Sequence, residues 1–519
     1  SEVVTQSYLV GEALSEHYSF PILSLVVDPD DFFDPDIGIY VTGNEEEVSA
    51  TVDDYYFTWD GNYHARGQDW ERDIHIDFFE TTGELGFSQD ASVRIHGGAS
   101  RSYRQKSFRL YASESNGILG EFNYPIFPNL YSKKDGNKIN SLNSFILRNS
   151  GTDFGSAFMR DVLFQNLVEH TPLATQATRP AIVFLNGEYW GLYFLYEHHS
   201  EEYFFNHYGI KPENLILLEG YGEIVYGAPK DQELYLALLE YLENHDVQDP
   251  EVFAEISQRI DIENFIDYQI VEIFTGNTDW PSSNIKYWRS RTATDDPSYF
   301  GPDDGRWRWI LFDLDHGFSR LDFNGIEHAT DEEFPTTIFR TLLNNPAFKT
   351  RFLNRFADHL NTTFQTDRVI REINDLEATL APEMEEQIDR WHSSGRSMET
   401  WRSNVAYLRQ YARQRPSIMH QDLIDYFGLD GVFTLSSDIK NGTLLINTVS
   451  TSAGTPGINP GSFNGQYFQN IPLTITAIPD EGYQFSHWEG SMHHNETSPT
   501  IELVSGSDVQ LNPIFRLSE

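Results

Sequence analysis

The residues best placed to do chemistry fall in two acidic stations, Asp279-Trp-Pro-Ser-Ser-Asn284 and Trp309-Ile-Leu-Phe-Asp313-Leu-Asp315. The first offers a carboxylate and an amide five residues later; the second ends an apolar run in carboxylates. In phosphoryl transfer such groups orient an attacking hydroxyl and hold Mg²⁺ through hard oxygens. Asp279 follows an amphipathic stretch and stands just ahead of Pro281. A helix therefore ends before it, and the carboxylate sits on a loop from which it can accept a hydroxyl proton. Asn284 offers a cation a neutral oxygen and Asp313 a charged one, a set suited to Mg²⁺ or Mn²⁺. Asp315 is either a second metal ligand or a solvated turn residue.

Upstream lies Arg94-Ile-His-Gly97-Gly98-Ala-Ser100-Arg-Ser-Tyr-Arg-Gln-Lys106. Paired glycines let backbone N–H groups approach phosphate oxygens, and a lysine on the next strand can set an ammonium against them. The same residues also suit a plain Gly-Gly hairpin with a solvated lysine. A DxD pair such as Asp313-Leu-Asp315 can also hold Mn²⁺ against a diphosphate, so a nucleotide-sugar transferase is a third reading beside a kinase and a non-catalytic protein. That reading leaves Lys106 unexplained.

The elements that must position these groups change along the chain. Pro21–Val27, Ile37–Val41, Ile74–Phe78, Ser92–Ile95 and Ser107–Tyr111 run apolar or alternate between Gly, Asp and Pro breaks, which predicts strands. From Phe158 the period changes, and Met159, Val162, Leu163 and Leu167 share one helical face. Two strands follow, Ala181–Leu185 and Trp190–Leu195, joined through Asn186-Gly187, whose tolerance of positive φ signals a tight hairpin. Helices are predicted over Glu233–Asn244, Asp261–Thr275, Ile338–Leu360, Thr366–Leu380 and Met398–Gln414. Strands first and helices after is an α+β layout of two lobes, with a cleft between them for a small ligand. After Gly428 the composition shifts to Thr, Ser, Gly, Asn and Pro with short strands such as Thr443–Asn447 and Leu473–Ala477, a separate small all-β module.

Composition bounds the partners. The chain has 519 residues, more than one core usually supports, with 39% hydrophobic and 14% aromatic residues to bury. Its 79 acidic and 36 basic residues give a net charge of −43, which repels phosphate backbones and anionic membranes. Nucleic acid is an unsuitable partner, and the charge reads as a solvated acidic coat. With no cysteine, disulfides, thiolate zinc sites and cysteine nucleophiles are excluded. No apolar run is long enough to span a membrane. The start at Ser1-Glu-Val-Val reads as a processed or trimmed chain, with any export signal upstream.

In order along the chain, Gly97-Gly98, Lys106, Asp279 with Asn284, and Asp313 follow the functional groups of a protein kinase. The stretches Arg94–Tyr111, Leu147–Asp153 with Met159-Arg-Asp161, Phe184–Tyr193 with Glu197, Asn277–Asn284 and Trp309–Phe318 resemble the spore-coat CotH kinase family, with Asn186-Gly-Glu-Tyr-Trp-Gly-Leu-Tyr193 the most specific string. The similarity covers most of residues 18–428, after an N-terminal extension over 1–17. It implies an atypical protein-kinase-like fold, with a β-rich N-lobe and a helical C-lobe. It also implies an enzyme that uses ATP and Mg²⁺ or Mn²⁺ to phosphorylate Ser or Thr in secreted and coat proteins, and so a secreted or cell-surface location. Carried onto this chain, it makes Gly97, Gly98, Ser100 and Lys106 nucleotide-phosphate contacts, Asp279 the catalytic carboxylate, and Asn284 and Asp313 metal ligands. The chain departs from ordinary kinases in lacking His-Arg before Asp279, in carrying Asp313-Leu-Asp315 for Asp-Phe-Gly, and in its shorter glycine loop. Glu197 stands either near the nucleotide at the lobe connection or in a surface salt bridge. Arg148 and Arg160 are candidates for phosphate contacts or for structural carboxylate contacts.

In the module, Ala477-Ile-Pro479 and Gly482-Tyr-Gln-Phe-Ser-His-Trp-Glu-Gly490 resemble the divergent internalin-type B repeat within residues 432–519, which implies surface or matrix contact; the aromatics equally suit a plain core. An adhesin or other structural surface protein on a kinase-like scaffold is therefore the competing function. Asp28, Asp30, Asp31, Asp34 and Asp36 crowd one loop. An EF-hand needs oxygen and glycine where Phe32 and Phe33 stand, so a capped turn is expected. The adjacent pairs His198-His199 and His493-His494 point apart on a regular element and do not suit a shared zinc.

Overall fold

The computed structural model describes residues 7, 17–43, 51–52, 55–56, 61–112, 120–292, 299–391 and 396–518. Seven strands of the N-terminal part close into a barrel: β1 (Ile22–Val27), β2 (Arg72–Phe79), β3 (Leu85–His96), β4 (Ser107–Ala112), β5 (Ser144–Arg148), β6 (Thr178–Leu185) and β7 (Glu188–Tyr196), in the order β1-β2-β3-β4-β5-β7-β6. All neighbours are antiparallel except β1 and β6, whose parallel pairing of Ile22 with Ile182 through Leu25 with Leu185 seals the ring. Alternation puts Leu23, Leu25, Ile76, Phe78, Val93, Phe108, Leu110, Phe145 and Leu147 in the core. Closure removes open sheet edges, a feature the strand pattern alone does not contain.

The expected β6–β7 hairpin forms, with Asn186 at φ 50° and Gly187 at φ 82°, the paired positive dihedrals of a two-residue turn. Ile37–Val41, expected as a strand, is instead a turn. Asp28 caps the short helix α1 (Pro29–Phe33), and the chain then folds back so that Gly38, Ile39 and Tyr40 N–H groups bond Asp34, Asp31 and Phe32 carbonyls. Those local bonds satisfy the backbone that a strand would have paired.

Helix α2 (Arg160–Val168) follows β5, with Val162, Leu163, Phe164 and Leu167 buried. After α3 (Glu201–Tyr208) a second, four-stranded sheet forms in the order β9-β8-β10-β11 from β8 (Leu215–Glu219), β9 (Glu223–Tyr226), β10 (Lys286–Ser290) and β11 (Arg308–Ile310). Helices α4 (Gln232–Asn244), α5 (Pro250–Arg259) and α6 (Ile262–Thr275) separate its halves in sequence. Asp261 caps α6 by accepting from Asn264 N. The single helix expected over Ile338–Leu360 is two, after the short α7 (Gly325–Ala329): α8 (Thr337–Leu342) and α9 (Pro346–Asn361). Asn345 starts the second by capping Phe348 N, and Pro346 has no N–H to continue the first. Conversely, α10 (Thr366–Arg390) and α11 (Met398–Phe427) run well past their expected ends, through Pro382 and Pro416.

Gly428, at φ 64°, ends α11, and eight strands follow. They are β12 (Val432–Asp438), β13 (Gly442–Ile446), β14 (Val449–Ser450), β15 (Ser462–Phe468), β16 (Leu473–Pro479), β17 (Tyr483–Gly490), β18 (Thr500–Leu503) and β19 (Val509–Leu517). They form two four-stranded sheets, β15-β12-β19-β17 and β14-β13-β16-β18. The chain is thus α+β with an all-β C-terminal region. One buried apolar cluster runs from the barrel through the helices into these strands, with Phe78, Phe274, Leu353, Phe433 and Trp488 among its members. No helix of the described residues is long and apolar enough to cross a membrane.

Candidate functional site

A cleft of about 790 Å³ opens where the β3–β4 connection, the ends of β5 and β7, and the loops flanking β10 and β11 meet. Its walls bring together Gly97, Gly98, Ser100, Arg148, Asp279, Asn284, Asp313 and Asp315. The two remaining expected site residues, Lys106 and Glu197, are elsewhere.

On one wall, Gly97 at φ 109° turns the chain back over Ser100, whose hydroxyl would overlap any side chain at Gly97. Nothing would meet a side chain at Gly98, so its backbone is open to approach. Arg101 braces this loop from beneath: Nε donates to Gly97 O at 2.7 Å, and Nη1 donates to Tyr63 O and Ala65 O, both at 3.0 Å. Burial brings the Arg101 pKa down to about 10.

Lys106 does not reach the cleft. Its Nζ donates to Arg101 O at 2.7 Å and Tyr103 O at 2.9 Å, and lies 3.9 Å from the Tyr63 ring centre. Only 3% of the residue is exposed, and burial pushes the ammonium pKa down to about 7. Lys106 stands just ahead of β4 beside the loop, and two loop carbonyls and an aromatic face take its charge inward. The nucleotide-phosphate role expected for it is therefore corrected.

Opposite, α6 ends at Gly276 in the left-handed region, and the fully buried Asn277 ties the next turn back by donating to Glu272 Oε2 at 3.0 Å. Asp279 follows on the loop, as its spacing predicts. Asn284 Nδ2 donates to Asp279 Oδ2 at 2.9 Å, which fixes the amide so that its Oδ1 remains for another partner. Ser282 Oγ and Ser283 N both bond Asp279 O, at 2.8 and 3.0 Å, closing the loop on itself.

The third wall holds Asp313 and Asp315. The Arg148 guanidinium, at the end of β5, pairs with Asp313 Oδ1 and donates to Asp315 Oδ2 at 3.1 Å. Thr152 N also donates to Asp315 Oδ2, at 2.7 Å. Gly151, at φ 57°, passes so close that any side chain there would overlap that oxygen. Burial works to raise the Asp313 pKa, and the Arg148 charge overrides it and holds the carboxyl below its ordinary range. Asp315 goes the other way: burial first, then the Asp313 charge, push it up to about 8. Helix α2 anchors the segment, since Leu314 N donates to Asp161 Oδ1 at 2.8 Å. Asp315 is therefore a buried anchor for Arg148 and Thr152 rather than a solvated turn residue. Of the two readings for Arg148, the carboxylate contacts are what the structure contains. Arg160 is buried against Asp153, away from the cleft.

Glu197 is 3% exposed, 2.8 Å from His207 Nε2, and accepts from Ala177 N at 3.0 Å. It lines a separate cavity of about 500 Å³ with Lys133 and His207. Glu197, read as near the nucleotide or in a surface salt bridge, thus lies outside the cleft and off the surface, because its partners lie inward of the strand end.

The cleft also holds residues not singled out from sequence. Lys286 lines it, with Nζ 3.7 Å from Glu219 Oε2 and 4.7 Å from the Phe312 ring centre, and burial lowers its pKa. His96, His198 and His199 share the wall; His96 and His198 rings are 6.2 Å apart, and burial holds all three pKa values below the ordinary imidazole range. The adjacent His198 and His199 thus face one cavity, because the chain leaves regular β7 at Tyr196 and alternation no longer applies. His493-His494 lies in the module's β17–β18 connection, away from this cleft. Lys286 stands only two residues past Asn284, and that proximity is the one sequence signal that could have found it.

Among the described residues no three His, Cys, Asp or Glu side chains close into a metal cage. The Asp313 carboxylate and the Asn284 amide oxygen, which line the same cleft, are hard donors of the type Mg²⁺ takes beside waters and substrate phosphates.

A family model described as CotH kinase protein matches residues 93–419, and one described as divergent InlB B-repeat domain matches residues 447–515. No curated protein matches the chain.

Proposed function

Since the chain belongs to the CotH kinase protein family, whose model spans more than half of it, we propose that it transfers the γ-phosphoryl group of ATP to Ser or Thr hydroxyls of proteins. The observation that carries this reading is that Asp279, Asn284 and Asp313 share one cleft with the Gly97–Ser100 loop. The barrel would serve as the N-lobe and the helices with the second sheet as the C-lobe, over residues 18–428, with the module over 432–519. A secreted or cell-surface location is part of the proposal and rests on the family resemblance and the B-repeat.

Asp279 receives the acceptor's hydroxyl proton as its oxygen bonds to phosphorus and the bond from phosphorus to the ADP oxygen breaks. Asp313 and the Asn284 amide oxygen are the residues that would hold Mg²⁺ or Mn²⁺, which would supply positive charge to offset the negative charge developing on the transferred group. Backbone N–H groups at Gly97, Gly98 and Ser100 are the ones that would approach the phosphates. The positive charge assigned from sequence to Lys106 falls to Arg148 and Lys286, which line the cleft. Arg148, held by Asp315, sets a guanidinium beside Asp313 without leaving its anchor.

Metal-dependent transfer of labelled phosphate from ATP to protein tests the reading. It fails if an Asp279→Ala protein transfers as much as the parent. One observation favours the alternative of a non-catalytic surface protein: Arg148 already neutralises Asp313. That alternative predicts no ATP-dependent rise in melting temperature with either metal.

A further inference from the structure

The C-terminal strands are joined to the helices by buried polar groups as well as by an apolar face. Thr448, in the turn between β13 and β14, donates to Asp358 Oδ2 of α9 through its N–H at 3.2 Å and its hydroxyl at 2.6 Å. Tyr467 Oη of β15 donates to Asp358 Oδ1 at 3.1 Å. Arg355, one turn earlier on α9, donates from Nη1 to Thr448 Oγ1 at 2.6 Å and from Nε and Nη2 to Asp267 at 2.6 and 2.8 Å. His359 Nε2 lies 2.8 Å from the same Asp267. Asp267, Asp358 and Tyr467 are at most 1% exposed. Around this centre Asn361 makes a reciprocal pair with the Gln466 backbone, both bonds 3.0 Å, and Asn354 Nδ2 donates to Pro472 O at 2.8 Å. Gly457 passes so near the Thr362 carbonyl that a side chain there would collide with it.

Asp267 sits in the middle of α6, the helix whose C-terminal end sets Asn277, Asp279 and Asn284. Buried charges are tolerated only when every partner is present, so Thr448 and Tyr467 complete a network whose other end is that helix. We infer that the C-terminal module is an integral brace of the cleft-bearing domain, holding α6 and through it the loop 276–285, rather than an independent appendage. The face built around Thr448 and Tyr467 is spent on this contact and is closed to other partners. The inference stands whether or not the cleft binds a nucleotide.

Hydrogen exchange of the full chain without nucleotide, compared with a Thr448→Val/Tyr467→Phe variant, tests it. The variant removes both hydroxyl donors to Asp358 while keeping side-chain shape. A brace predicts exchange faster by about tenfold or more in the module and also in the 276–285 loop. Faster exchange confined to the module, or none anywhere, overturns the proposal. Should the variant fail to fold, a protease site placed between Gly428 and Val432 of the unsubstituted chain gives the second measurement. After cleavage the two pieces are expected to co-elute with the loop still protected. Pieces that separate and leave the loop's protection unchanged would contradict the brace.

Discussion

Asp279 lines the cleft, whereas Lys106 is buried outside it. Asp279 is on the cleft with its orienting amide 2.9 Å away, and replacing it with Ala is expected to lower kcat by ~10²–10⁴ while leaving the ATP-dependent melting shift in place. Steady-state kinetics beside thermal-shift titration checks this; loss of binding together with rate would make Asp279 a ligand contact instead. For Lys106→Met the expectation is the reverse: an unchanged KM for ATP and altered stability. Its folded pKa of about 7 lies below that of a free lysine, near 10.4, so the unfolded chain binds more protons between these values. Stability from this group therefore rises with pH across about 7 to 10 and is least below it, and the variant should flatten that slope in denaturant melts. Lys106 was legible as a lysine beside a glycine loop. Its direction was not, because the groups that capture it, Tyr63 and the Arg101 carbonyl, come from non-local packing and a local 3₁₀ turn.

At the scale of elements, the connection from β5 into α2 decides how Asp313 and Asp315 are held. Gly151→Ala puts a methyl group against the Asp315 carboxylate at a positive φ, and a loss of more than about 1 kcal/mol is expected in chemical unfolding, with weaker Mg²⁺-dependent nucleotide binding. A stability equal to the parent's would mean that Asp315 and Arg148 move freely. The elements themselves were largely readable where the signal is local: Asn186-Gly187 sets a hairpin, Asp261 caps α6, and Met159 to Leu167 mark α2. The break at Asn345-Pro346 is equally local, but the apolar period on either side of it masks it. The turn over Ile37–Val41 escaped because Ile39 is buried and Tyr40 stacks on Phe32 of α1, while the backbone is satisfied by the Asp31, Phe32 and Asp34 carbonyls.

Across the whole molecule, barrel closure and the docking of the module depend on pairings between residues far apart in sequence, β1 with β6 and Asp358 with Thr448 and Tyr467, which no periodicity encodes. The docking has a pH signature. Burial raises the Asp358 pKa to about 6, so from about pH 4 to 6 the folded chain binds more protons than the unfolded one, and stability from this group falls as pH rises through that window. An Asp358→Asn chain should lose that component in melts compared with the parent at each pH; an identical profile would show that the carboxyl titrates normally at the interface. The net charge of −43 adds self-repulsion at neutral pH. The central claim is that Asn284 and Asp313 form a metal-dependent nucleotide site beside the catalytic Asp279, and calorimetric titration of the full chain with ATP in the presence and absence of Mg²⁺ tests it most directly. The account predicts binding that requires Mg²⁺ and is abolished in an Asp313→Ala protein; no heat with any divalent metal, or equal affinity in that variant, would contradict it.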